Sequence, residues 1–166
     1  MIIYHQAYDA NHCVFRMLSV VVAFPEHTFQ LDELRILDFF VLFPSEIRNA
    51  RIPPSSKSLA PNLRSTRYNS VPNRLRIFYQ LHPIQNAALD HLVKAGFVSR
   101  VLEGTSEGYL RTDKAIPGDV QERIQASQAM KQVRPIMEGY LLKLPLAGKD
   151  GLKGRSRLYN VRYDAA

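Results

Sequence analysis

Four side chains near the start of the sequence have the chemistry of metal ligands: His5, Asp9, His12 and Cys13. Asp9 and His12 are three positions apart, about one helical turn, so both could face one ion. A zinc site needs four protein ligands, or three and a water molecule, and no second cluster completes the set. We therefore expect hydrogen-bonded histidines and a cysteine packed as a small apolar residue. The sequence predicts neither a metal ion nor any other cofactor.

Other patterns that would indicate catalysis are incomplete. Residues 148–156 are rich in glycine and cations, but a phosphate-binding loop would need a glycine where Lys149 stands. A mobile basic loop that touches a partner or nucleic acid is the expectation there. A Gly-x-Ser-x-Gly motif is absent, and Asp38 is the one candidate carboxylate in an apolar segment. We expect Asp38 to pair with an arginine such as Arg16 or Arg76, and we predict that the protein is not an enzyme.

The chemistry that the sequence favours is electrostatic. The chain has 22 Lys and Arg against 15 Asp and Glu, a net charge of +7, and residues 47–89 contain no acid. Charge concentrated in this way favours a surface that attracts phosphate or an acidic protein face, although a flexible, solvated basic loop is the alternative. The candidate nucleic-acid or partner contacts are Arg48, Arg51, Lys57, Arg64, Arg67, Arg74, Arg76, Lys94, Arg100, Arg111, Lys149, Lys153 and Arg155.

The elements that would position these cations centre on residues 73–113. The pattern predicts, in chain order, a helix over 74–80, a break at 82–83, a helix over 83–95, and strands over 97–102 and 109–112 joined by a loop over 103–108. The break is expected because the residue before Pro83 is pushed out of helical geometry, and Gly96 suits a helix end. Two helices with a tight break and then a hairpin are typical of a winged helix-turn-helix, which binds DNA or proteins.

The second predicted helix of this unit stands where a DNA-reading helix would stand. Its expected exposed side chains are Gln85, Asn86, Asp90, His91 and Lys94. Asp90 repels phosphate and Lys94 is the one cation, whereas phosphate contacts dominate DNA affinity. We therefore favour protein contacts or non-specific DNA holding, with Arg100 and Arg111 of the hairpin and the preceding Arg-rich loop as the positive face.

The flanking sequence predicts added helices on both sides, and hence an α+β, mostly helical fold in one compact domain. A first helix, capped by Asp9 or Asn11, should run to about residue 24, followed by one over 31–43 and a short one capped by Ser45. Asp119 is the expected cap of a later helical region that Pro135 kinks or divides. The predicted segments are 1–72 (N-terminal helices and a basic Pro/Arg-rich loop), 73–116 (winged-helix cassette) and 117–166 (C-terminal helices and basic tail).

Cysteine content and hydropathy bear on the compartment. Cys13 is the one cysteine, so no internal disulfide can form, and a reducing compartment is the simplest setting. No apolar run is long enough to cross a bilayer, and no N-terminal stretch has the layout of a signal peptide. The sequence thus predicts a cytoplasmic protein without a membrane partner.

Several groups of residues occur along the chain in the order found in one known family. They are Tyr4-His5-Gln6-Ala7-Tyr8-Asp9, His12-Cys13-Val14-Phe15-Arg16-Met17-Leu18, Leu34-Arg35-Ile36-Leu37-Asp38-Phe39-Phe40 with Phe43-Pro44, Pro83-Ile84-Gln85 with Ala88-Leu89, and Gly151-Leu152-Lys153 with Tyr163-Asp164. Together they resemble the middle-component family of bacterial ABC-three-component systems over nearly the whole chain. The resemblance implies a small winged-helix subunit of an SMC/Rad50-like coiled-coil ATPase, with a third protein such as a nuclease as effector, as in Lamassu-type anti-phage defence. It transfers no catalytic residue.

The resulting hypothesis is a non-catalytic accessory subunit. It would bind the SMC/Rad50-like ATPase and help to hold DNA, without sequence preference, or an effector nuclease. A stand-alone winged-helix transcription regulator is the alternative, and it predicts a symmetric dimer that binds one palindromic site. An enzyme that uses His5, Asp9 and His12 is a third possibility, which metal analysis of the purified protein would test.

Overall fold

Helices supply most of the structure, and one β-hairpin interrupts them. A computed structural model describes residues 6–64 and 70–159. Its elements there are α1 (Ala10–Ala23), α2 (Leu31–Leu42), α3 (Arg74–Lys94), β1 (Val98–Glu103), β2 (Ser106–Arg111), α4 (Gly118–Ala126), α5 (Gln128–Gly139) and α6 (Leu152–Ser156), with 3-10 helices at Gln6–Tyr8, Pro44–Asn49, Pro54–Leu59 and Leu141–Lys143. These bounds confirm a mostly helical α+β fold with a small antiparallel sheet. Within the described ranges, none of the helices is both long and apolar enough to cross a bilayer.

The first two helices lie where the sequence predicts them. The Asp9 carboxylate accepts hydrogen bonds from the backbone amides of Asn11, at 2.8 Å, and His12, at 3.1 Å, which confirms Asp9 as the cap of α1. Helix α2 ends at Leu42, just before Pro44. The next helix starts at Pro44 itself, so Ser45 lies inside it, and the prediction that Ser45 caps it is wrong.

Helix α3 is continuous over 21 residues, so the predicted break at His82-Pro83 is wrong. An internal proline costs about 3 kcal/mol or more, because it removes a backbone hydrogen bond and crowds the preceding turn. Pro83 is exposed, however, and a stripe of buried side chains on the opposite side of the helix faces the core. Its apolar members are Phe78, Leu81, Ala88, Leu89 and Leu92. Burying large apolar side chains, at about 1.5–3 kcal/mol each, outweighs the proline.

The end of α3 follows the predicted pattern. Gly96 has a φ of +82°, in the left-handed region that favours glycine. The backbone amide of Gly96 donates to the carbonyl of Val93, and that of Phe97 donates to the carbonyl of Leu92, both at 3.0 Å. These two bonds satisfy carbonyls that a helix end otherwise leaves open, and they turn the chain into the hairpin.

The hairpin is tighter than predicted. Strands β1 and β2 pair antiparallel from Val98 opposite Arg111 to Glu103 opposite Ser106. A two-residue turn beginning at Gly104, whose φ is +64°, joins them. The predicted six-residue loop over 103–108 is therefore wrong, because a glycine at the first central position permits a much shorter connection.

Phe29 extends this small sheet by one residue. It lies between α1 and α2, and its backbone exchanges two hydrogen bonds of 2.8 Å with Tyr109 of β2. Both side chains are buried. The pairing joins the connection between the first two helices to the hairpin.

The region after the hairpin divides at Ser127 instead of Pro135. Helix α4 has Pro117 at its N-cap, so Asp119 lies inside the first turn and the prediction that it caps the helix is wrong. The Ser127 hydroxyl accepts a hydrogen bond from the backbone amide of Met130 at 3.3 Å and so caps α5. Helix α5 continues through Pro135, an exposed residue, so the predicted division there is wrong.

A cluster of aromatic rings joins α2, α3 and the segment after α6. The ring centre of Phe78 lies 5.7 Å from that of Phe39 and 5.2 Å from that of Tyr159, in both cases edge to face. Phe39 and Phe78 are fully buried. We call residues 148–159 the tail. Because rings at such distances interact favourably, the cluster attaches the tail to the rest of the protein.

Candidate functional site

The buried carboxylate that the sequence singled out is structural. Asp38 is fully buried, and its Oδ1 lies 2.7 Å from Nε of Arg16, which confirms Arg16 as its partner. Gln85 of α3 donates from Nε2 to Asp38 Oδ2 at 2.8 Å. The Cys13 sulfur lies 3.8 Å from the same oxygen. Burial raises the pKa of the Cys13 thiol far above its usual value, and the Asp38 charge adds to the effect, which disfavours the reactive thiolate form.

The structure separates the candidate metal ligands. Asp9 is engaged in capping α1, whereas Cys13 lies inside the core against Asp38. Within residues 6–64 and 70–159, no group of three or more His, Cys, Asp or Glu side chains has the geometry to hold a metal ion. His5, the remaining candidate, lies outside the described residues.

A groove of about 400 Å³ lies between α1, α3 and α4. Its rim carries His12, His91, Asp9 and Arg123, and the Arg123 guanidinium lies 4.9 Å from the centre of the Phe15 ring. The volume would suffice for a small ligand. The carboxylate and the permanent cation on the rim have opposite charges, so the groove has no clear preference for an anion or a cation.

The sequence predicted a mobile basic loop over residues 148–156, and that prediction is wrong for Leu152–Ser156, which form helix α6. Leu152 is buried, and its backbone amide donates to the carbonyl of Pro145 at 2.7 Å. Gly154 lies so close to the backbone of Lys149 that a Cβ atom would collide with it. Close backbone packing, which composition does not reveal, explains why a glycine-rich segment is ordered here.

Three basic segments that are far apart in the sequence meet on one side of the protein. The backbone amide of Arg51 donates to the carbonyl of Arg155 at 2.7 Å, and the Arg51 guanidinium donates to the carbonyl of Lys149. At the start of α3, Arg74 donates from Nη1 to the carbonyl of Arg157 at 3.0 Å. The segment after α2, the start of α3 and the tail are therefore neighbours.

We name this region the cationic corner and define it as Arg48, Arg51, Lys149, Arg155 and Arg157. Among the described residues, only Arg155 of this set has a carboxylate partner, Asp150 at 3.3 Å. The remaining charges are unbalanced, so the corner carries the positive potential that attracts phosphate or carboxylate groups. Arg157 is not among the contacts predicted from the sequence, although it continues the basic run of the tail.

Two predicted contact residues beside the corner are neutralised by ion pairs. Arg74 lies 2.9 Å from the carboxylate of Glu46, which is almost fully buried. Lys153 lies 3.0 Å from Asp32 of α2, and both side chains are largely shielded from solvent. These residues tie the corner to the body of the protein.

The predicted contacts on the hairpin and the end of α3 lie far from the corner. Lys94 pairs with Asp90 at 2.8 Å, and Arg100 lies 3.4 Å from both Asp90 and Glu107. Arg111 donates to backbone carbonyls near the hairpin. Since α3 separates these residues from the corner by about 30 Å, and acids balance two of them, they form no continuous surface with it.

The other predicted contacts are scattered. Lys57 and Arg64 are exposed on the segment before α3, and Arg76 is exposed on α3 itself. Arg67 lies outside the described residues. The thirteen candidates therefore do not form one patch, because the fold selects some of them and disperses the rest.

The predicted reading face of α3 needs one correction. Gln85 is fully buried against Asp38 and is not exposed. Asn86 is exposed but accepts a hydrogen bond from Arg35 at 2.6 Å, and Asp90 is held by Lys94. A polar residue type at a core-facing helix position misled the prediction, because the buried Asp38 needs a hydrogen-bond donor there.

The tail is secured by a carboxylate that titrates at low pH. Asp32 accepts hydrogen bonds from Arg35 at 2.8 Å and Tyr159 at 2.9 Å, besides its ion pair with Lys153. Burial acts to raise the pKa of Asp32, but the hydrogen bonds from Lys153, Tyr159 and Arg35 outweigh it and lower that pKa. The carboxylate is thus ionised at neutral pH and binds the side chains of Arg35, Tyr159 and Lys153.

We expect acidification to release the tail. Since the pKa of Asp32 is lower in the folded protein, its stabilising contribution is present above the unfolded value of about 4 and is lost as the pH falls through the folded value. Hydrogen–deuterium exchange of residues 152–159, corrected for intrinsic rates, should rise in that window before exchange of α1 does. Asp32→Asn should show fast tail exchange already at neutral pH. Equal protection of the tail in both proteins would contradict this role.

One comparison with known proteins identifies the family of this chain. The model of one protein family, ABC-three component (ABC-3C) system Middle Component 5, matches residues 2–164. No curated protein and no solved structure matches significantly. The match covers almost the whole chain and confirms the resemblance to middle components that the sequence motifs indicated. This chain therefore belongs to the Middle Component 5 family of ABC-three-component systems.

Proposed function

We propose that this protein is a non-catalytic accessory subunit that binds an SMC/Rad50-like coiled-coil ATPase and steadies DNA against the cationic corner. The complex would act in anti-phage defence of the Lamassu type, with a nuclease as its effector. The observation that carries the DNA-binding part is the meeting of three distant basic segments on one side of the protein, with four cations that no described carboxylate balances.

The order of elements supports a winged-helix architecture, with a different assignment from that of the sequence pattern. Helix α1, the strand position at Phe29, helices α2 and α3, and the hairpin follow one another as in winged-helix domains. In this proposal α2 and α3 are the helix pair, separated by an insertion that carries much of the basic segment. The two halves of α3 cannot be the pair, because they form one helix.

The side chains support DNA holding without sequence reading. An Asn or Gln side chain reads adenine by pairing through both its amide oxygen and its amide nitrogen. On α3, Gln85 is buried against Asp38, and the Asn86 oxygen already accepts from Arg35, so neither amide is free to make this two-point contact. The unbalanced cations lie in the corner, where they would contact phosphates, which are the same for every sequence.

Family membership supports the partner part of the proposal. A middle component belongs to a system of three components, so this chain has protein partners by definition of its family. The ATPase is our candidate for the direct partner, and the effector nuclease is the further one. The two most deeply buried carboxylates of the described residues, Asp38 and Glu46, are each paired with an arginine, Arg16 and Arg74, and so serve the packing of the fold.

Charge reversal in the corner tests the DNA-binding proposal. The double variant Arg48→Glu and Arg157→Glu, purified in complex with the ATPase component, should bind duplex DNA more weakly. Each lost phosphate contact reduces the slope of log affinity against log salt by about 0.9, so we expect a change of about 1.8. Fluorescence anisotropy over a salt series measures both quantities.

A matched control reverses two other exposed cations, Lys131→Glu and Lys143→Glu, and changes the net charge equally. It should leave most of the affinity and slope intact. Equal effects from the two double variants would show that net charge alone matters, and would contradict the proposal that DNA binds at the cationic corner. Tight binding of the isolated protein, as a symmetric dimer, to a single palindrome would instead indicate a stand-alone regulator.

A further inference from the structure

The described part of the chain exposes only four large hydrophobic side chains, and two of them, Leu75 and Tyr79, lie on one face of α3. They are 46% and 48% exposed, and a third, Tyr8, is 45% exposed and contacts the same helix at Gln80. Leu75, Tyr79 and the exposed Pro83 are each four residues apart, so they follow one ridge of the helix. Together with Arg76 we name these residues the α3 patch.

The patch is held in place before any partner arrives. The Tyr8 hydroxyl lies 2.9 Å from Oε1 of Gln80, a bond in which the hydroxyl donates. The Tyr79 ring packs edge to face against Phe78 at 5.8 Å and Tyr159 at 6.3 Å. Side chains that are already ordered lose little entropy on binding, which favours their use as interface anchors. Tyrosine and arginine are also the residue types that dominate interface energies.

The charge around the patch has one sign. Arg76 is exposed and has no carboxylate partner among the described residues, and residues 47–89 contain no acid. The acids on neighbouring elements are occupied, since Asp32 holds Arg35 and Lys153, and Glu46 holds Arg74. A complementary surface must therefore combine apolar side chains with carboxylates.

We propose that the α3 patch is the docking site for an amphipathic helix of the ATPase component, whose apolar stripe is flanked by Asp or Glu. This inference rests on the function proposed above and specifies where the partner binds. The ridge formed by Leu75, Tyr79 and Pro83 is suited to the groove of a second helix. The carboxylates of that helix would meet Arg76.

Other occupants suit the patch less well. In a symmetric dimer of this chain through the patch, each Arg76 would approach the like charges of its copy, which is unfavourable. A nucleic acid would gain little from the aliphatic side chains of Leu75 and Pro83, and the Tyr8 hydroxyl is already bonded to Gln80. The patch is adjacent to the cationic corner, because Arg74 precedes Leu75. A docked partner helix would therefore flank DNA held in the corner.

Substitutions in the patch test the proposal in the full complex. The variants Tyr79→Ser with Leu75→Ser, and separately Arg76→Glu, should each weaken binding to the co-expressed ATPase component by at least about tenfold, as hot-spot residues do. Arg76→Lys should keep most of the affinity. Leu102→Ser is the matched control, because Leu102 is 79% exposed but lies on the hairpin. It should bind like the wild type.

A photo-crosslinking amino acid at position 79 identifies the occupant directly. Mass spectrometry of the crosslinked complex should find an ATPase segment with apolar residues at helical spacing and flanking acids.

Three outcomes are distinguishable. If the wild-type complex forms but the patch variants bind as well as the wild type, this inference is overturned and the proposed function stands. If no complex forms with the wild-type protein, the proposed function itself fails. Loss of DNA binding with unchanged ATPase binding would show that the patch is a nucleic-acid surface and would also overturn the inference. Thermal unfolding of each variant confirms that it is folded.

Discussion

Replacing Asp38 with alanine is expected to lower the free energy of unfolding by about 3–5 kcal/mol. The Arg16 guanidinium, 2.7 Å from Asp38 and almost fully buried, would lose its counter-charge and could not reach water. The Gln85 amide would lose its acceptor at 2.8 Å as well. Because the three side chains come from α1, α2 and α3, the loss would loosen the packing of all three helices. Urea unfolding followed by circular dichroism measures the change.

A double variant separates the ion pair from general damage to the core. Arg16→Met with Asp38→Leu replaces both charges by apolar side chains and should cost far less than the sum of the single changes, since no charge stays buried alone. Glu138→Ala, at an exposed position of α5, should change stability by no more than about 0.5 kcal/mol. A loss below about 1 kcal/mol for Asp38→Ala would show that water reaches Arg16 and that the pair is dispensable.

Replacing Phe78 with alanine should also lower the free energy of unfolding by about 3–5 kcal/mol. The ring is fully buried and contacts Phe39 of α2 and Tyr159 of the tail, so its removal leaves a cavity where three segments meet. We further expect faster hydrogen exchange in residues 152–159, because the tail loses its central ring contact. Thermal and urea unfolding measure the stability change.

The neighbouring Tyr79→Ala is a matched control for this prediction. Tyr79 is also aromatic and lies on the same helix, but it is 48% exposed, so its removal should cost much less stability. If the two variants were equally destabilised, the aromatic cluster would not be the support that we infer. The pair also distinguishes a residue that holds the fold from one that we propose to contact a partner.

The two proposed surfaces divide the protein by charge and shape. The cationic corner offers unbalanced cations from two segments that are distant in the sequence, and the α3 patch offers ordered apolar and aromatic side chains beside Arg76. The corner suits phosphates and the patch suits a protein helix. Their adjacency at the start of α3 would let a small subunit bring DNA close to its partner without any chemistry of its own.

Local signals in the sequence predicted the features that depend on a few neighbouring residues. Asp9 caps α1 and Gly96 ends α3 because each acts on backbone groups within a turn of itself. The hairpin follows from alternating residues and a glycine turn, and Arg16 was one of two partners predicted for Asp38. The ordered motifs also indicated the family that the comparison then showed.

Predictions were wrong where tertiary contacts outweighed the local structural preference of a residue. Pro83 disfavours a helix locally, but a stripe of buried side chains spans it, so α3 stays whole. Gln85 has the composition of a reading residue, but the buried carboxylate of Asp38 claims its amide. Residues 148–156 look flexible by composition, but their backbone packs closely at Gly151 and Gly154, and Leu152–Ser156 form a helix.

The sequence by itself determined the family, the mostly helical class and the excess of positive charge in residues 47–89. Only the tertiary structure decided which cations lie together, because the contacts that join Arg51 to Arg155 and Arg74 to Arg157 each span half of the chain or more. Such contacts follow from how helices bury their apolar faces against one another, and no window of neighbouring residues contains that information.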